Sequence, residues 1–169
     1  MATLTIGNKE YTARCDFSFD RTANEKYTTK EEDKAGGTMN IYMGLLNEDA
    51  LMLSAFWDCA LSHLKSGKPT AEKIEDAIMK IIDEDTKGDA TDRLINEAFQ
   101  TLENAGFFKG KIRQQWTMME KMGAPKKAAP NETPEMAAKR IEEQEQSKEY
   151  MEMLKQARKE RMGSTTSKS

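Results

Sequence analysis

Gly123-Ala-Pro-Lys-Lys-Ala-Ala-Pro-Asn-Glu-Thr-Pro134 holds three of the four prolines in the chain. Proline fixes φ, removes a backbone donor and pushes the preceding residue out of the helical region, so a stretch this rich in it reads as a linker. The residues before it carry apolar periodicity, whereas those after it are dominated by charge. This division predicts a body over residues 1–122, a Pro/Ala/Lys linker over 123–134, a charged helical arm over 135–162 and a disordered terminus over 163–169. The front part is large enough to bury a core of its own, and the rear part is not.

Upstream of the linker the pattern begins with period two. Leu4 and Ile6 alternate with threonines, Gly7-Asn8 tolerates positive φ, and Tyr11, Ala13 and Cys15 alternate again, which predicts a β-hairpin. The period then lengthens. A short helix is expected from a cap at Asp20 to Tyr27, followed by a mobile loop over 28–37, where apolar spacing is absent and two glycines close the run. Thr38 to Asn47 reads as a helix with Met39, Ile41, Tyr42, Leu45 and Leu46 inward. Three stronger helices follow. Asp49 to Lys65 carries Leu53, Trp57, Ala60, Leu61 and Leu64 on one face. The second is capped by Thr70 and carries Ile74, Ala77, Ile78, Ile81 and Ile82, while the third, capped by Asp89, carries Ile95, Ala98, Phe99 and Leu102. Phe107-Phe108 is expected to anchor the chain on the body before a helix over Lys111 to Met122.

Thr133-Pro134-Glu135 supplies a cap, a first-turn proline and an early acid, which together start a helix. That helix is expected to reach about Met162, on the order of 40 Å. The fold class is thus mainly α with a small N-terminal β-hairpin (α+β), a compact helical body followed by a linker and an extended C-terminal helix.

The chain has 26 Lys+Arg against 29 Asp+Glu, a net charge of −3, and neither part is strongly polarised. That balance argues against nucleic acid as a partner, which would leave a clustered basic excess. The longest nearly uncharged run, Ala50 to Ala60, is far below the roughly 20 residues of a spanning helix, and the first residues lack a secretory signal, so no membrane role and a cytoplasmic location are expected. Cys15 and Cys59 read as buried reduced thiols.

Candidate chemistry is sparse. Cys59 and His63, one turn apart, make half of a zinc site or a thiol with a base, and both are better explained by packing. Asp83-Glu-Asp85-Thr-Lys-Gly88 begins like a calcium loop but has Lys87 and Leu94 where ligands are needed. Gly67-Lys68 lacks the earlier glycine of a phosphate loop. No catalytic, cofactor or metal residue is assigned. The 12 methionines stand out, because flexible, polarizable side chains suit adaptable binding of apolar partners. Body methionines such as Met52 and Met79 are expected to fill core gaps. A partner surface is expected from Met118, Met119 and Met122 at the end of the body with Met136, Ile141, Tyr150, Met153 and Leu154 along the arm.

The order of a Leu4-Thr-Ile-Gly7-Asn-Lys-Glu-Tyr11 hairpin, a Phe17-Ser-Phe19 step, Met43-Gly-Leu-Leu46, a Trp57-centred helix, Lys68-Pro-Thr70-Ala-Glu-Lys-Ile-Glu75 and Leu102-Glu-Asn-Ala-Gly-Phe-Phe108 resembles the tail assembly chaperones of long-tailed bacteriophages, in the form found in phages of Gram-positive hosts. The resemblance covers roughly residues 3–109, and the charged arm departs from the shortest members. It implies a non-enzymatic protein of the infected cell's cytoplasm that binds the tape measure protein, helps to recruit tail tube protein, and leaves before the tail is complete; the methionine-containing stripe and the proline hinge add the separate expectation that the body self-associates along the tape measure while the arm contacts a partner. It also implies that such a protein is often made in two lengths by a ribosomal frameshift. Against it stand a structural minor tail or connector protein of the virion and a small helical DNA-binding regulator.

Overall fold

A computed structural model of the chain describes residues 1–29 and 36–163. Most of the loop expected over 28–37, and all of the terminus expected over 163–169 except Gly163, which belongs to the last helix, lie outside these residues. The chain opens with β1 (Thr3–Ile6) and β2 (Lys9–Thr12), antiparallel about Gly7-Asn8, with Leu4 opposite Tyr11. Gly7 has φ +64°, the left-handed conformation that a two-residue hairpin turn requires. Leu4 points into the core, and α4 packs beside β1.

Helix α1 (Phe17–Lys26) starts earlier than its expected cap. Asp16, not Asp20, accepts the amide protons of Ser18 and Phe19, and the extra turn carries Phe19 into the core against Phe56 and Phe108. Asp20, one turn inside, instead accepts hydrogen bonds from Thr38 Oγ1 at 2.6 Å and Lys111 Nζ at 2.7 Å. The chain continues into α2 (Gly36–Leu46) and α3 (Ala50–Ala60). Both are apolar nearly all round, so they form the centre, with neighbours on several sides. The Gly36-Gly37 pair read as the end of a loop is the first turn of α2. There α1 comes so close that a Cβ on Gly37 would stand 1.8 Å from the Ala23 carbonyl oxygen.

Helices α4 (Ala71–Asp83) and α5 (Ala90–Asn104) are amphipathic and lay one face each on this centre. Thr70 caps α4 as expected, through a bond from the Lys73 amide. Asp89 stands at the N-cap of α5 as expected, but its side chain makes no capping bond: Asp85 accepts the amide protons of Lys87, Asp89 and Ala90, and the Asp89 carboxylate pairs with Arg93. Phe108 is buried, whereas Phe107 stays on the surface, edge-on to Phe17 at 4.6 Å. Met79 is 50% exposed and fills no core gap, because the face of α4 that carries it looks outward. Helix α6 (Lys109–Met122) follows, and after residues 123–133 comes α7 (Pro134–Gly163).

The largest correction concerns α7. Its charge led to the expectation that it could hardly bury a face of its own, yet Leu154 is 1% and Arg161 7% exposed, and the second half of α7 lies against α2 and α5. Leu154 therefore belongs to the same apolar cluster as Trp57 and Phe99. The core of the body is completed by the segment beyond the linker.

Candidate partner-binding surface

The side chains of α7 that are not exposed are Ala137, Arg140, Gln144, Ser147, Met151, Leu154, Arg158 and Arg161, with Ala157 and Met162 beside them. Their steps of three and four residues define one straight seam on a helix. Its three arginines all have partners. Arg140 holds Glu132 through two bonds, at 2.7 and 3.1 Å, and both Arg140 and Gln144 donate to the Lys126 carbonyl, so the linker lies back along the first half of α7. Further along, Arg158 donates to Glu103 and stacks over Trp116, with 4.9 Å from guanidinium to ring. Arg161 donates to the Leu46 carbonyl at 3.1 Å and Asn96 Oδ1 at 2.6 Å, and pairs with Glu48 at 3.0 Å.

A buried relay underlies this contact. Trp116 Nε1 donates to Tyr42 Oη at 2.9 Å, and Tyr42 donates in turn to Glu103 at 2.6 Å, so α2, α5, α6 and α7 meet through one carboxylate. Burial, and then the hydrogen bond to Glu103, push the Tyr42 hydroxyl above its ordinary pKa and keep it a donor. Leaving either Glu103 oxygen without its partner would cost about 1.5–3 kcal/mol, the range for hydrogen bonds to charged groups.

The geometry shows how far α7 projects. Trp116 meets Arg158, Glu120 meets Lys155 at 2.9 Å, and a Cβ on Gly123 would touch Met151, so α6 and α7 run antiparallel. Residues 134–150 then extend past the end of α6 by about 25 Å, at 1.5 Å per residue. This projecting half, with the junction at its base, leaves Met118, Met122, Met136, Ile141, Tyr150 and Met153 exposed. The expected partner residues thus divide three ways. These six are open to solvent, Met119 is half-buried against the core, and Leu154 is inside it and faces no partner. The six do not form one stripe: Ile141 and Met153 lie about 140° and about 100° round the helix from Leu154, at 100° per residue.

A depression between the hairpin and α5 is lined by Arg14, Asp16, His63, Arg93 and Glu97 among others, groups of both signs, of which Arg14 pairs with Asp16 at 2.7 Å. Helix α3 ends at Ala60, short of the expected Lys65, so His63 lies in the turn beyond it with Nδ1 3.0 Å from the Ala60 carbonyl, and Cys59 is fully buried, with its thiol pushed up by burial and then by Asp58. Among the described residues no three His, Cys, Asp or Glu side chains gather as metal ligands. No helix among them is long and apolar enough to cross a membrane.

Asp58 went unnoticed in the sequence although it is a lone acid in the apolar run Ala50–Ala60, where burial demands partners. It is 4% exposed and accepts from Lys68 at 2.6 Å, Lys26 at 2.9 Å and Tyr27 Oη at 2.9 Å. Burial raises its pKa, but these three donors outweigh burial and hold the carboxyl below its ordinary value. Asp20 is lowered in the same way by Lys111 and Thr38 against the effect of burial. Since both folded values lie below the unfolded value of about 3.9, their stabilisation is complete above about pH 5 and is lost as pH falls through the folded values. Urea midpoints should therefore be flat from pH 7 to about 5 and fall in acid. The Asp58→Asn variant should be less stable at pH 7 and show a shallower acid limb; an unchanged limb would mean that Asp58 is not held as a carboxylate.

A family model described as phage tail assembly chaperone protein matches residues 3–115. Searches of curated proteins and of solved structures return no match. The matched region ends inside α6, so the last two turns of α6, the linker and α7 lie beyond it.

Proposed function

From the premise that the chain belongs to the phage tail assembly chaperone family, we propose that it binds the tape measure protein and recruits tail tube subunits during tail morphogenesis, with copies associating along the bound polypeptide. The family is not a class of enzymes, and this role requires no bond-making chemistry. The protein acts in the host cell cytoplasm and is absent from the finished particle. The observation that supports the reading is the family match over the body, joined to a projecting helix whose base exposes Met118, Met122, Tyr150 and Met153. Unbranched methionines repack at little cost in strain, so such a surface can hold a long chain of varied sequence without selecting one motif.

Co-expression with the tape measure and tail tube proteins tests the proposal. Both should co-purify with the full chain. Serine at Met118, Met122, Tyr150 and Met153 together should weaken retention about tenfold or more, since loss of about 1.4 kcal/mol from a set of buried anchors suffices. All four are exposed, so circular dichroism should stay unchanged. Mass spectrometry of purified particles should not find the chain; its presence at structural copy number would replace the chaperone reading with that of a virion component.

A further inference from the structure

We propose that the groove along α2 and α5 which holds the second half of α7 also accepts α7 from a second copy, so that copies associate by exchanging their C-terminal helices. This rests on the self-association in the reading above, and the experiment below separates the two.

The first ground is the nature of the contact. Everything that seats α7 comes from α7 itself: Leu154 in the apolar cluster, Arg158 on Glu103, and Arg161 on the Leu46 carbonyl, Asn96 and Glu48. The groove presents acceptors and carboxylates, and the helix brings two guanidinium groups. A second copy brings the same Leu154, Arg158 and Arg161 at the same spacing and repeats every bond, so the closed and exchanged forms differ only at the hinge and in concentration.

The second ground is the hinge. Glu132 and the Lys126 carbonyl are fastened to Arg140 and Gln144, so the linker and the first half of α7 move as one unit. What remains to turn is the short stretch about Gly123 and Pro125, beyond the last α6 residue, Met122. The docking half of α7 thus sits at the far end of an out-and-back path of about 25 Å each way. Its placement on its own body follows from concentration and not from a tight turn.

The third ground is the exposed apolar surface at that hinge. Met122 is 76% exposed, with Met118, Tyr150 and Met153 beside the α6–α7 contact. These exposed side chains contribute little packing that would resist opening of the hinge. A tether of this length gives the intramolecular helix an effective concentration on the order of millimolar, so exchange competes when copies are concentrated or aligned along a common polypeptide.

The test uses the full chain in two forms of different mass, one Glu120→Cys and the other Lys155→Cys, joined by a bis-maleimide of about 10 Å reach. The two side chains pair across the α6–α7 contact and are both about half exposed, so neither change disturbs packing. Burial pushes the Cys15 thiol up to about 12 and raises that of Cys59, and the unsubstituted chain treated in parallel measures what either thiol contributes. The mixed product, which joins position 120 of one form to position 155 of the other, should rise with concentration from micromolar to millimolar and exceed either symmetric product about tenfold. A chain carrying both substitutions should give intrachain product at low concentration. Association without excess mixed product would overturn the exchange and leave self-association standing. A chain that stays monomeric throughout would overturn both.

Discussion

Alanine at Gly37 is expected to lower the melting temperature by roughly 10 °C, a large effect for one added methyl group. Its Cβ would stand 1.8 Å from the Ala23 carbonyl oxygen and 2.4 Å from the carbonyl carbon, atoms of a helix backbone that cannot rotate away. Helix α2 would have to retreat from α1. That retreat would break the Gly37 amide's bond to Asn24 and the bond between Thr38 and Asp20. Overpacking costs about 1–3 kcal/mol where side chains can adjust, and a backbone obstacle puts this site at about 3 kcal/mol or above. At about 2–4 °C per kcal/mol for a chain of this size, the shift follows. Gly110 is the control. It lies in α6 with open space where a Cβ would go, so Gly110→Ala should stabilise by about 0.5–1 kcal/mol through the entropy that glycine loses on folding. Equal effects at the two positions would mean that α1 and α2 do not approach as described.

Aspartate at Leu154 is expected to release α7 and to cost about 2 kcal/mol or more. The side chain is 1% exposed within the apolar cluster, where its burial contributes about 1.5–3 kcal/mol and a carboxylate would find no donor. Once α7 lifts, Arg158 leaves Glu103 and Trp116, and Arg161 leaves Asn96 and the Leu46 carbonyl. The lost stability is then capped at the free energy of docking. Truncation after Met122 should consequently give the same melting shift as Leu154→Asp, and both should move Trp116 emission to the red. An independent arm would give no shift in either variant. The outcome also bears on function, since deleting the arm to look for lost partner binding would destabilise the body as well. The exposed substitutions at the α6–α7 junction avoid that confusion.

A docked α7 alters the mechanical picture of the chaperone. A wholly free arm would lose its conformational entropy on each capture of a partner, whereas here the second half of the helix is already ordered. The first half of α7 projects by about 25 Å, with exposed apolar side chains at its base. The family match ends inside α6, before this projection begins.

Periodicity and punctuation made the hairpin, the order of the helices and the boundary at Met122 legible from the residues, because these depend on neighbours a few positions away. Leu4 alternating about Gly7-Asn8, Thr70 before Ile74, and Thr133-Pro134-Glu135 act within one turn. Where the choice lay between two nearby acids, reading failed. Asp16 displaced Asp20 because the core needed Phe19, and Asp85 took the amide bonds at the Asp89 cap because the loop folded back on it. The docking of α7 was invisible for a further reason. In the sequence Arg140, Gln144, Arg158 and Arg161 are only part of a charged arm; their roles appear when the linker brings Glu132 and the Lys126 carbonyl, and the body brings Glu103, Asn96 and the Leu46 carbonyl, against them. Charge tells how much a side chain prefers water, but whether it must stay there depends on acceptors that folding alone assembles.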